Sequence, residues 1–136
     1  MGSILLVEPD HETCDRWQTG IGAEGHAVLS AAMHDALPLI REGGIDLVVI
    51  DCSAQCKGVI ELARGIQSLP DAPPLVLVSD SPAAPEISVR IGAVSFLAKP
   101  CEPSEIVGLV NRLLGALRPV RMIDDDEPTG PNRTFG

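Results

Sequence analysis

Ile45-Asp46-Leu47-Val48-Val49-Ile50-Asp51-Cys52-Ser53 is the stretch on which the fold of this chain turns. Leu47 to Ile50 is a continuous apolar run between Gly43-Gly44 and small polar residues. Such a run reads as a strand covered on both faces, the kind found in the middle of a parallel sheet. It delivers one carboxylate, Asp51, to its end. In open α/β sheets chemistry lies just beyond the carboxyl ends of the strands, so Asp51 stands where it can meet a ligand from solvent. Asp51 could equally cap the next turn; the other strand ends decide between the two readings.

Upstream, Ile4-Leu5-Leu6-Val7 is a second buried strand, running into Glu8-Pro9-Asp10. From Asp10 to Ala23, Cys14, Trp17 and Ile21 keep helical spacing, and Gly25 closes the helix. His26 to Leu29 is a weaker strand suited to a sheet edge. Met33, Ala36, Leu37 and Ile40 then predict a helix stopped by Gly43-Gly44, with Pro38 expected to shorten or kink it. Downstream, Val59, Leu62, Ala63 and Ile66 form a helical stripe ended by Pro70, Pro73 and Pro74. Leu75 to Val78 is the fourth strand and terminates in Ser79-Asp80. Pro85 fits the start of a short helix through Arg90. Val94 to Ala98 is the fifth strand and ends in Lys99-Pro100. Pro103 then opens the clearest helix, in which Ile106, Leu109, Val110, Leu113, Leu114 and Leu117 make one apolar stripe.

Strands alternating with helices predict a single α/β domain over residues 1–117, a flavodoxin-like, doubly wound parallel sheet of five strands in the order 2-1-3-4-5. That order makes strands 1 and 3 neighbours. Glu8 and Asp51 are then expected across one crevice, with Ser79 and Lys99 closing its far side. The remainder, 118–136, carries Asp124-Asp125-Asp126-Glu127 and three prolines and is expected to be a disordered acidic tail.

Composition narrows the function. A net charge of -9 argues against a nucleic-acid surface, and three aromatic residues, Trp17, Phe96 and Phe135, make no base-stacking platform. No apolar run approaches the roughly 18 residues of a membrane span, and no signal segment precedes Ile4, which points to the cytoplasm. Cys14, Cys52, Cys56 and Cys101 form no CxxC pair and read as free thiols. His11, His26 and His34 are scattered and read as surface residues.

Taken together, the acids after strand 1, Asp51 after strand 3, Ser79 after strand 4, Phe96 within strand 5, Lys99-Pro100 behind it and Gly92-Ala93 seven residues before the lysine resemble the receiver domains of two-component response regulators. The resemblance covers roughly residues 3 to 117. It implies that Asp51 takes a phosphoryl group from a histidine kinase or histidine phosphotransfer protein. Magnesium would be held by Glu8, Asp10, Asp51 and the Ser53 backbone. Lys99 would pair with one phosphoryl oxygen and Ser79 would donate its hydroxyl to another, while Phe96 turns into the space that Ser79 vacates. The signal would leave through the face of helix 4, strand 5 and helix 5. On this reading the chain is a stand-alone relay that is no enzyme beyond promoting its own phosphorylation, and it passes its output to another protein.

The chain departs from the family's pattern after strand 1, where Pro9 stands at the place of a direct metal ligand. Proline has no side-chain oxygen, so weak magnesium binding is expected. The loop after Asp51 is about a residue short and lacks the family's Met-Pro, and Asp80 adds a negative charge. A second function class therefore stands beside the first: a pseudo-receiver that binds a protein partner without being switched by phosphorylation.

Overall fold

The computed structural model of the chain describes residues 2–52 and 58–117. Strands β1 (Ser3–Val7), β2 (Ala27–Ala31), β3 (Leu47–Cys52), β4 (Leu75–Ser79) and β5 (Ser95–Ala98) alternate with helices α1 (His11–Ala23), α2 (Met33–Arg41), α3 (Val59–Gln67), α4 (Ala84–Arg90) and α5 (Pro103–Leu117). All strand pairs are parallel, in the order β2-β1-β3-β4-β5, as the sequence predicts.

The unbroken apolar runs follow from helices covering both sheet faces. Leu5, Val7, Val48, Ile50, Leu75 and Leu77 pack with residues of α2, α3 and α4 in one core. Their alternate neighbours Ile4, Leu6, Leu47, Val49, Val76 and Val78 pack with Trp17, Ile21, Ile106, Leu109 and Val110 of α1 and α5 in the other. Side chains alternate along a strand, so each residue's face can be counted from these two sets. Small residues let the helices close on one another. A Cβ at Gly20 of α1 would come 2.9 Å from Val107 Cγ2 of α5, and one at Gly65 of α3 would come 2.7 Å from Leu37 Cδ2 of α2.

Local differences from the sequence reading have physical causes. β2 runs to Ala31, beyond the Leu29 end expected from the sequence, because it pairs through Val7↔Ala31 with the whole of β1. It is the expected edge strand, with Leu29 half exposed. Pro38 does not end α2, which continues to Arg41. Burial of Ala36 and Ile40 on the core and the packing of Leu37 against α3 hold the helix across the missing hydrogen bond. His26 is a structural clasp instead of a surface histidine. Its Nδ1 accepts the Gly2 N–H at 3.1 Å, which leaves the proton on Nε2, and Nε2 lies 2.8 Å from Asn111 Oδ1. The start of β1, the entry to β2 and α5 are thereby tied together.

Removing buried volume from either core should be costly. Ile66→Ala, at a fully buried position of α3, should lose about 2–5 kcal/mol, whereas Val89→Ala on the exposed side of α4 should change stability by less than about 0.5 kcal/mol. Urea unfolding checks both, through a midpoint that falls at unchanged slope for the first and stays put for the second.

Candidate functional site

Counting along β3 places Asp51 on the same face as Leu47 and Val49, the side covered by α1 and α5. The same count along β5 places Lys99 in line with Leu97, on that same side. The two meet. Lys99 Nζ makes an ion pair with Asp51 Oδ1, which has no other hydrogen-bond partner. Asp51 is 3% exposed, and the Lys99 side chain 22%. The backbone of Asp10 also favours the ionised Asp51 carboxylate, while the Asp10 charge opposes it. Burial pushes the Asp51 carboxyl above its ordinary value of 3.8, and the hydrogen bond and charge of Lys99 only partly offset this.

Asp10 lies close by but faces a different task. It is the N-cap of α1: Oδ1 accepts the Thr13 N–H at 2.8 Å and Oδ2 the Thr13 hydroxyl at 2.9 Å. The backbone hydrogen bond from Thr13 holds the Asp10 carboxyl below the usual carboxylate range, with the hydroxyl adding to it. Asp10, Thr13, Arg16, Trp17, Asp80, Lys99 and Cys101 line an open cleft of about 320 Å³ beside the pair. Burial, with the Glu105 and Asp51 charges, pushes the Cys101 thiol up and keeps it protonated. Cys14 is likewise free. Cys52 instead is disulfide-bonded, which corrects the expectation of free thiols at that position.

Glu8 is not where the sequence reading puts it. Strict alternation from Ile4 and Leu6 would aim it at the α1–α5 side with Asp51. Its backbone is left-handed, φ 57°, the one positive φ at a non-glycine among the described residues. That turn breaks the alternation. Glu8 Oε2 accepts the Met33 N–H at 2.6 Å, at the first residue of α2, and the Glu8 N–H donates to Ala31 O at 2.8 Å. The N-cap residue of α2 is Ala32, which supplies no side-chain acceptor. Glu8 caps the helix from across the chain, gaining about 1 kcal/mol against about 1–2 kcal/mol for the left-handed conformation. The crevice between strands 1 and 3 therefore holds one buried acid and an ammonium, and the expected pairing of Glu8 with Asp51 is corrected.

This decides how the residues fit magnesium. Glu8 lines a separate cleft with Pro9, Cys14, Asp15 and Gln18. Both carboxylate oxygens of Asp10 are engaged on α1. Among the described residues no three of His, Cys, Asp and Glu gather as a metal would need. The set Glu8, Asp10 and Asp51 therefore does not fit the ion. The Ser53 backbone, Cys56 and the tail from 118 lie outside the described residues.

Ser79 is buried beside Leu75 and Leu77 in β4, opposite Cys52, and its hydroxyl oxygen accepts the Ser81 N–H at 3.0 Å. Phe96 pairs with Leu77 and packs half-buried against the same core. Ser79 and Phe96 thus share the α2–α4 side, while the Asp51–Lys99 pair occupies the other. Sequence reasoning had no signal for the Glu8–Met33 bond, nor for Arg16, whose place in the cleft depends on where α1 docks.

A model of the response regulator receiver domain matches residues 4–111. The chain is 26% identical over 111 residues to the transcriptional regulatory protein YvrH of Bacillus subtilis, covering 79% of this chain and 47% of that protein. It is 25% identical over 130 residues to the transcriptional regulatory protein BaeR of Escherichia coli, covering 94% and 54%. The chain spans about half the length of the curated relatives it matches. Among solved structures, the receiver domain of the Francisella response regulator 1452 superposes with a TM-score of 0.75 at 22% identity, covering 87% of this chain and 100% of that one. The signal receiver domain of a signal transduction histidine kinase from Syntrophus aciditrophicus does so with 0.76 at 22%, covering 92% and 98%. At these identities the structural likeness bears on the fold alone.

A raised Asp51 pKa means that the native state holds this proton more tightly than the unfolded chain. The stability that this confers is complete below 3.8 and is lost as pH rises through the folded-state value. Asp51→Asn should therefore be more stable than wild type at pH 7, with the gap closing as pH falls towards 4. Lys99→Ala should be less stable than wild type at pH 7, because it leaves the buried carboxylate unpaired. That loss should disappear in the Asp51→Asn background. Thermal melts of the four proteins from pH 4 to 8 read all of this; a Lys99→Ala loss that survives in Asp51→Asn would show that the lysine stabilises the fold by other means.

Proposed function

The chain belongs to the response regulator receiver family, and from that premise we propose that it is a phosphoacceptor whose acceptor is Asp51. The observation that carries this reading is the buried Asp51 carboxylate held against Lys99 at the carboxyl edge of the sheet. A carboxylate oxygen of Asp51 attacks the phosphorus of a phosphohistidine. The P–O bond forms as the P–N bond breaks, and the released imidazole nitrogen takes a proton from solvent. Lys99 transfers its ammonium from the carboxylate to the phosphoryl oxygens, where a mobile point charge offsets the added charge. Ser79, whose backbone carbonyl accepts the Lys99 N–H at 2.9 Å, sits beside the lysine and directs its hydroxyl to the phosphoryl group. Phe96 answers by turning inward, and its ring leaves no polar group stranded.

The donor in this scheme is a histidine kinase or histidine phosphotransfer protein in the cytoplasm, and the output leaves through α4, β5 and α5 to another protein. No helix among the described residues is long and apolar enough to cross a membrane. The chain catalyses nothing beyond its own phosphorylation and dephosphorylation. The hold of Glu8 on α2 favours one competing reading, a pseudo-receiver that binds its partner with Asp51 and Lys99 permanently paired. Incubation with acetyl phosphate followed by intact-mass analysis separates them. Wild type should gain one phosphoryl mass that Asp51→Asn does not, and Lys99→Ala should slow its formation. A wild-type chain that gains no mass, or an Asp51→Asn chain that gains it equally, leaves the pseudo-receiver reading.

A further inference from the structure

Resting on the receiver reading, we propose that this chain neutralises Asp51 with a built-in cation, the Lys99 ammonium, in place of a divalent metal, and that Glu8 has left the site to cap helix α2. Three positions point the same way. Residue 9, beside the acids after β1, is proline and offers no side-chain oxygen. Asp10 has both carboxylate oxygens on Thr13, where they close the first turn of α1. Glu8 is fastened twice to the β2–α2 connection, by its N–H to Ala31 O and by Oε2 to the Met33 N–H.

A magnesium ion requires several hard oxygens in near-octahedral array. To assemble them here it would have to uncap α1 or α2 and displace an ammonium from Asp51. α2 tolerates that poorly, since Ala32 offers no substitute cap and Pro38 already removes an interior hydrogen bond. Met33, the residue that Glu8 holds, also abuts the start of α3: a Cβ on Gly58 would lie 3.3 Å from Met33 Cγ. Moving Glu8 would therefore disturb the α2–α3 packing as well as one helix end. The left-handed backbone at Glu8 is what buries this choice in the fold, because it turns the residue away from the Asp51 side before its side chain begins. The consequence is a site whose charge balance does not follow the divalent cation concentration.

Manganese titration of the full chain, with free ion read by paramagnetic resonance, tests the metal half directly. Wild type and Asp51→Asn should take up manganese alike, so that whatever binds does so elsewhere on this acidic chain. Pro9→Asp should add uptake that a further Asp51→Asn removes. Wild-type melting should be the same in magnesium and in EDTA, and phosphoryl label from acetyl phosphate should form equally in both. Glu8→Ala should melt lower than wild type in either buffer. Uptake by wild type that Asp51→Asn abolishes and Glu8→Gln weakens by about 10–100-fold would overturn the metal half, as would label that forms only with magnesium. A Glu8→Ala chain as stable as wild type overturns the capping half. If Pro9→Asp does not fold, the comparison of wild type with Asp51→Asn still decides. Absence of label in both buffers, with no Asp51-dependent uptake, removes the phosphoacceptor role while leaving the metal inference standing.

Discussion

A carboxylate at the end of a strand covered on both faces has lost most of its water and must be given a partner by the fold. In this chain that partner is Lys99. The ion pair joins the end of β3 to the segment leaving β5 across the intervening β4, so it is available only when all three strands lie side by side in register. It is a poor source of stability, since desolvation costs much of what the Coulomb attraction returns. Its effect is to keep one buried acid beside a cation at the carboxyl edge of the sheet. The rise in the Asp51 pKa is the residue of that unequal exchange.

The rest of the sheet's carboxyl edge is arranged around this pair by simple parity. Residues two apart along a strand face the same way, which puts Asp51 and Lys99 over α1 and α5, and Ser79 and Phe96 over α2 and α4. Chemistry on one face can therefore reach a packing change on the other only through the strand ends. Ser79 occupies that crossing point, with its carbonyl on the Lys99 N–H and its hydroxyl oxygen on the Ser81 N–H. The hydrogen bond from the Lys99 N–H to the Ser79 carbonyl, 2.9 Å long, holds the two strand ends together there.

Glu8 shows how one backbone torsion can reassign a residue. Sequence order and strand period both place it beside Asp51, and a family resemblance strengthens the same expectation. A left-handed conformation reverses it, and the carboxylate then finds the exposed N–H groups that α2 cannot satisfy for itself. Helix ends need acceptors, and a carboxylate within reach of one has somewhere better to go than a site already holding another acid. The acid that sequence places beside Asp51 instead serves an unrelated requirement at the first residue of α2.

The amino-acid sequence alone determined the architecture, because five apolar runs separated by helical stripes leave one economical way to cover both faces of a sheet. It also determined which residues sit at the carboxyl ends of strands, since Asp51, Ser79 and Lys99 follow directly from where those runs stop. Periodicity reports which face a residue occupies and where an element ends. It does not report side-chain partners that lie far apart in the chain. The pairing of Lys99 with Asp51, the capping of α2 by Glu8, the clasp of His26 with Gly2 and Asn111 and the persistence of α2 through Pro38 are all of that kind. They depend on distances set by strand register and by how helices dock and, for Glu8, on a torsion that no local residue preference demanded, so only the tertiary structure could decide them.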